Sequence, residues 1–228
     1  MKLSLGLFLL LLAAILLAQA PVIPVSESVT GDRDAGYNVV VTNTAKQPIT
    51  CIFWRQGTGN FFRVSLDREL LIRDIPEKAT LYAPLPPGAS ITQSIPGPDK
   101  PRVVAVILLD GTVVGSAIQD DGEDYVADIF AARRIRAQRI SHWLKLAESL
   151  PLMDFLREAL VPLPQMSSGT AQELAPFLAD ADVRFVAQLL SERIEYMGAD
   201  PETERQQFLE RLRIHAAATL RNSHRRGA

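Results

Sequence analysis

Apolar positions fall in short blocks over the first half of the chain and recur at helical spacing over the second. From Pro21 to about Ser116 the blocks are bounded by turn formers. Tyr37-Asn-Val-Val-Val-Thr-Asn43 is β-branched, and Ile49-Thr-Cys-Ile-Phe-Trp54 follows after the short connection Thr44 to Pro48, so both read as strands. Phe61-Phe-Arg-Val64 and Leu70-Leu-Ile72 are weaker strands. Leu85-Pro-Pro-Gly88 is a turn leading into Ser90-Ile-Thr-Gln-Ser-Ile95, a strand with polar residues interleaved. Val103 to Leu109 is continuously apolar, which predicts a central strand covered on both faces. Asp110-Gly111, between that run and Thr112-Val-Val114, is a two-residue hairpin signal. About six to eight short strands with frequent turns predict an antiparallel β-sandwich.

After Gly115 the period changes. Asp121-Gly-Glu-Asp124 places acids where a helix N-terminus favours negative charge, with Asp121 as the expected cap. A long amphipathic pattern follows, with Val126, Phe130, Ala137, Trp143 and Leu144 on its apolar stripe, ending near Leu150-Pro151. A short helix runs from Leu152 to Leu160 and is closed by Pro162 and Pro164. Thr170-Ala-Gln-Glu173 has capping-box spacing. Pro176 falls in the first turns of that helix, and Asp180 or Asp182 is expected to open a separate one that runs to Met197 and stops at Gly198. Asp200-Pro201 reads as N-cap and first residue of a last helix reaching about Leu220, and the tail from Arg221 is expected to fray.

The first twenty residues, MKLSLGLFLLLLAAILLAQA, carry a lysine, an uncharged apolar stretch and a small-x-small ending, the pattern of an export signal. Cleavage after Ala20 would put Pro21 at the scissile bond, where its ring fixes φ and removes a donor, so a cut after Ala18 is favoured. The alternative is an uncleaved anchor, although the apolar run is short for a span of about 20 residues. The sole cysteine, Cys51, is far from the leader, which rules out a lipid anchor on a cysteine there. Being alone, Cys51 also makes no internal disulfide, and its apolar neighbours predict a buried thiol.

Without the leader roughly 200 residues remain, enough for one large or two small domains. We divide the chain into a leader (1–20), a β region (21–118) and a helical region (119–228), a fold of the α+β class. The junction at Ser116 to Gly122 is short and acidic, so the helices are expected to pack on the β region. A net charge of −2 does not point to nucleic acid.

Val39-Val-Val-Thr-Asn43, Gln47-Pro-Ile49 and Leu85-Pro-Pro-Gly-Ala-Ser-Ile91 resemble the immunoglobulin-like modules of bacterial secreted and cell-surface proteins. The resemblance covers the β half alone. It implies an Ig-like β-sandwich with a structural or adhesive role, and it transfers no functional residue.

Candidate chemistry is sparse. Arg133, Arg136 and Arg139 fall near one helical face and form a basic stripe suited to a phosphate, an anionic lipid or an acidic groove on a partner. The competing reading pairs these arginines with Asp124 and Asp128, or folds them against the sandwich. Phe53, Trp54, Phe61 and Phe62 flank a turn, and an outward Trp54 would offer a contact surface to a sugar or a protein, whereas core packing is the alternative. Asp120, Asp121, Glu123 and Asp124 lack the spacing of a calcium loop, and His142, His215 and His224 lack zinc-ligand spacing. No nucleophile elbow and no phosphate loop occur, Gly57-Thr-Gly-Asn60 being too short for the latter. No metal or other cofactor is implied.

The expected protein is secreted or periplasmic, a non-enzymatic binding or envelope-structural module. Its partner would be an extracytoplasmic protein or an envelope component, not nucleic acid, with membrane contact only if the leader is retained. An enzyme or chaperone-like factor with a cleft between the halves, built from Arg133, Arg136 and a facing carboxylate, is the alternative.

Overall fold

A computed structural model describes residues 22–66, 84–119, 121–164 and 169–226. The leader and the strand expected at Leu70–Ile72 lie outside the described residues.

Among the described residues the β half holds seven strands: β1 (Val25–Asp32), β2 (Gly36–Asn43), β3 (Ile49–Gln56), β4 (Asn60–Ser65), β5 (Ser90–Ile95), β6 (Pro101–Leu108) and β7 (Val113–Gly115). They form two antiparallel sheets, ordered β1-β2-β5 and β4-β3-β6-β7. One apolar core joins the sheets, with Val39 and Val41 of β2 and Ile95 of β5 packed with Ile52 and Trp54 of β3 and Val106 of β6. Strands β3 and β6 are covered on both faces, as the continuous apolar run of β6 predicts. Their alternate residues Cys51, Phe53, Ala105 and Ile107 point the other way, toward a helix.

Turn chemistry fixes the connections. Asn43 at the end of β2 is 1% exposed. Its amide donates to Gln47 O at 2.9 Å and Leu85 O at 2.8 Å, tying the β2–β3 link to the Pro86–Gly88 turn. The β6–β7 loop is one residue longer than Asp-Gly alone suggests. Gly111 N–H donates to Leu108 O, Leu108 N–H donates to Thr112 O, and Gly111 adopts φ 86°, the three-residue form with a left-handed closing residue.

Four helices follow among the described residues: α1 (Tyr125–Ser149), α2 (Leu152–Ala159), α3 (Ala171–Met197) and α4 (Pro201–Asn222). Asp124, not Asp121, caps α1, accepting from the amides of Val126 and Ala127. Asp121 instead closes a small turn onto Glu123 N–H. The capping box at Thr170 and Glu173 opens α3, and Gly198 closes it at φ 63°. Contrary to the expected break, α3 is continuous through Pro176, and Asp180 and Asp182 lie in its interior. Asp200 and Pro201 start α4 as expected.

Helix α1, about 37 Å long, belongs to two cores. Its first turns place Val126, Ile129 and Phe130 against Phe53 and Ile107 of the sheet. Its last turns place Ile140, Trp143 and Ala147 among Phe155 of α2, Val183 and Leu190 of α3, and Phe208 and Leu212 of α4. The start of α1, together with Ala171 at the start of α3, therefore packs directly on the outer face of the four-stranded sheet.

The tail is anchored as far as Arg226, against the expectation of fraying. Arg226 N–H donates to Gly111 O at 3.1 Å, and Arg226 and Arg225 reach Asp110 and Asp124. A Cβ on Gly111 would run into the backbone carbonyl of His224, and φ 86° is strained for any L side chain. Gly111→Ala is expected to cost about 2 kcal/mol and to release the tail. Fast amide exchange at Arg226 and a lowered melting temperature check this; unchanged protection there would contradict it.

Candidate functional site

Between the two cores of α1 lies a belt of buried polar residues, and the arginine stripe is part of it. Arg133 is 6% exposed and Arg136 is 7% exposed. Arg133 donates to Thr50 Oγ1 of β3 at 3.0 Å and, more weakly, to Asn222 O at the end of α4. Its guanidinium also lies 5.4 Å from the ring centre of Phe130. Arg136 forms a 2.8 Å ion pair with Asp182 of α3, both side chains being under a tenth exposed. Arg139, nearer the surface, grips Asp180 with two hydrogen bonds, at 2.6 and 3.0 Å, and Trp143 Nε1 donates to the same carboxylate at 2.6 Å. These bonds hold the Arg139 pKa above its ordinary value, despite partial burial.

The arginines thus share a helix, and each has a protein acceptor. None of those acceptors is Asp124 or Asp128. Asp128 instead pairs with Arg63 of β4 at 3.4 Å and accepts from Gln172 at 3.0 Å. Arg133 does fold against the sheet, through Thr50.

A crevice of about 100 Å³ opens where β4, α1 and α3 meet. Its apolar wall is Ile129 and Ala132 of α1 with Ala171, Leu174, Ala175 and Leu178 of α3. Arg63, Arg133, Arg136 and Ser65 supply the polar part, and no carboxylate is among the described lining residues. Arg133 and Arg136 thus both line a crevice at the junction of the halves, and Asp182, which Arg136 engages, stands outside its described lining.

Trp54 is corrected as a contact residue. It is fully buried between the sheets, at 0% exposure. Alternation does send Phe53 the opposite way, but into the helix interface rather than into solvent. Phe61 stacks on Tyr125 at 4.9 Å, and Phe62 packs against the inter-sheet core. Cys51 is buried as expected. Among the described residues no group of three or more His, Cys, Asp or Glu is placed to hold a metal ion. Nor is any described helix long and apolar enough to cross a membrane.

A second, wider hollow of about 460 Å³ lies beside the β6–β7 loop, lined by Gln47, Leu109, Asp110, Arg221, His224 and Arg226. Asp110 holds the loop here, and its pKa is lowered, chiefly by the backbone N–H of Thr112 and further by Gln47 and Arg226. A carboxylate depressed below its ordinary 3.8 adds stability that is complete above that value and is lost as pH falls through the folded-state value. Asp110→Asn is expected to be less stable than the wild type at neutral pH and to converge with it in strong acid. Urea midpoints across that range check the convergence; a gap independent of pH would refute it.

Sequence reasoning missed Asp180, Asp182, Arg63 and Thr50. The signal for the two aspartates was two acids in an otherwise apolar, alanine-rich helical stretch, facing an arginine-rich one. Comparison with known proteins finds no matching family model, no matching curated protein and no matching solved structure.

Proposed function

We propose that the chain is an exported, non-enzymatic binding or envelope-structural protein, in which an immunoglobulin-like sandwich carries a helical unit docked on its outer face. The observation that carries this reading is the wall of the crevice between the halves. It joins guanidinium groups to an apolar surface and, apart from Ser65, contains no nucleophile, general base or carboxylate among the described residues. Guanidinium groups bind and orient anions but stay protonated, so they do not shuttle protons. The sandwich reading is supported by the shared core of the two antiparallel sheets and by the tie from Asn43 to the Pro-Gly turn. The partner is an extracytoplasmic protein or an envelope component, met in the periplasm or outside the cell.

A second reading, an enzyme or chaperone-like factor, draws on the existence of the crevice itself. Purified mature protein assayed against esters, glycosides and peptides separates the two. We expect no turnover. Turnover that disappears on substituting a crevice residue would overturn the binding-protein reading. Export with the leader intact in a bacterial host is expected to yield a mature N-terminus at Gln19, and a retained Met1 would instead indicate an anchored form.

A further inference from the structure

We infer that the open edge of β5 pairs with β5 of a second copy across a two-fold axis, so that the three-stranded sheets of both copies become one. The hydrogen-bond phase of that sheet decides which groups face outward. Asn43 N–H donates to Ala89 O at 3.0 Å, and the register runs from Thr42 opposite Ser90 to Tyr37 opposite Ile95. Bonded and unbonded pairs alternate along an antiparallel ladder, so Ile91, Gln93 and Ile95 bond β2. The opposite phase holds on the other side of β2, where Thr44 N–H donates to Pro24 O at 3.0 Å. Ser90, Thr92 and Ser94 therefore turn their N–H and C=O groups away from β2, and β5 is the last strand of its sheet. Among the described residues no backbone group takes them. Gln93 Nε2 reaches Ser94 O at 3.5 Å, a bond long enough to yield.

An open edge is a template for another strand, and edges are normally blunted by charge, proline or a bulge. Strand β5, Ser90-Ile-Thr-Gln-Ser-Ile95, carries none of these, and its register on β2 is unbroken. The other edges differ. Strand β1 carries Glu27 and Asp32, and the Glu27 carboxylate accepts from Val103 N–H at 2.8 Å. Strand β4 carries Arg63, which pairs with Asp128. Strand β7 has three residues, and Thr112 beside it bridges to Arg226. Self-complementarity makes a second copy the occupant of the β5 edge. With Thr92 opposite Thr92 of the second copy, Ser90 of each copy lies opposite Ser94 of the other. All the outward residues then form bonded pairs, about six hydrogen bonds in total. Their side chains share the exposed face of the sheet, so hydroxyl meets hydroxyl and no like charges are opposed. On the other face Ile91 lies opposite Gln93. The two-fold axis uses both β5 edges, and the assembly closes at two copies.

Sedimentation equilibrium of the mature protein, joined to amide exchange, tests this. So small an interface is expected to give a weak dimer, with a dissociation constant between about 10 μM and 1 mM. The amides of Ser90, Thr92 and Ser94 should exchange fast in dilute protein and slow down as it dimerises, whereas those of Ile91 and Gln93 stay protected throughout. Thr92→Pro removes a donor from the open edge but none from the β2 ladder, and edge strands accept proline at such a position. Thr92→Lys sets like charges across the axis from an exposed position. Each should weaken the dimer about tenfold or more and leave the melting temperature of the dilute protein unchanged. An equimolar mixture of Thr92→Lys and Thr92→Glu should associate again. A monomer at every concentration up to about 1 mM, or a dimer indifferent to both substitutions, would overturn the pairing. Slow exchange of Thr92 in dilute protein would overturn it too, since another stretch of the same chain would then cover β5. Turnover of an ester by the dimer would overturn the non-enzymatic reading and leave the pairing intact.

Discussion

Asp182→Ala is expected to lower the unfolding free energy by about 3 kcal/mol, far more than a surface aspartate would. Its carboxylate lies 2.8 Å from Arg136, and both side chains are under a tenth exposed. Removing it leaves a guanidinium between two apolar cores without its buried counter-charge. The exposed pair Arg213–Glu148, by contrast, is worth under about 1 kcal/mol. At a urea slope of about 2 kcal/mol per molar, the Asp182→Ala midpoint falls by roughly 1.5 M. The double variant Arg136→Met with Asp182→Leu is expected to regain most of that loss, because a buried ion pair is replaceable by hydrocarbon of similar volume. A double variant as unstable as the single one would mean that Arg136 holds the α1–α3 interface through bonds other than the ion pair.

The same pair marks the limit of what could be read along the chain. Helix starts carried by local chemistry were legible, as at Thr170-x-x-Glu173 and Asp200-Pro201, since the caps contact amides only a few residues away. The apolar run of β6 was legible because burial on both faces leaves no polar alternation. Strand β1 was not singled out: Val25–Asp32 is mostly polar and exposed, and it is held by its register on β2 rather than by its own apolar content. Asp180 and Asp182 were misread as helix openers because aspartate favours N-caps. Their arginines lie 41 and 46 positions earlier in the chain, and Thr50 lies 83 positions from Arg133. The arginine face was visible in the sequence. Its partners were not, because they are brought together only by the packing of α1 on the sheet and on α3.

That packing leads to the second large effect. Phe130 is 2% exposed and sits with Phe53 and Ile107 in the core that joins α1 to the sheet. Truncating a buried phenylalanine removes its transfer free energy and leaves a cavity, so Phe130→Ala is expected to cost about 3–5 kcal/mol. The two tryptophans make the consequence measurable, since Trp54 lies in the inter-sheet core and Trp143 in the helical core. With Trp143→Phe or Trp54→Phe as background, fluorescence follows one half at a time. Because α1 is a single helix shared by both cores, and Arg133 reaches Thr50 on β3, the two probes are expected to report one coincident urea transition. Phe130→Ala should then shift both by the same amount, although the substituted residue touches neither tryptophan's core. A shift confined to the Trp143 signal would mean that the helical unit unfolds independently of the sheets. The crevice at their junction would then lack a rigid frame.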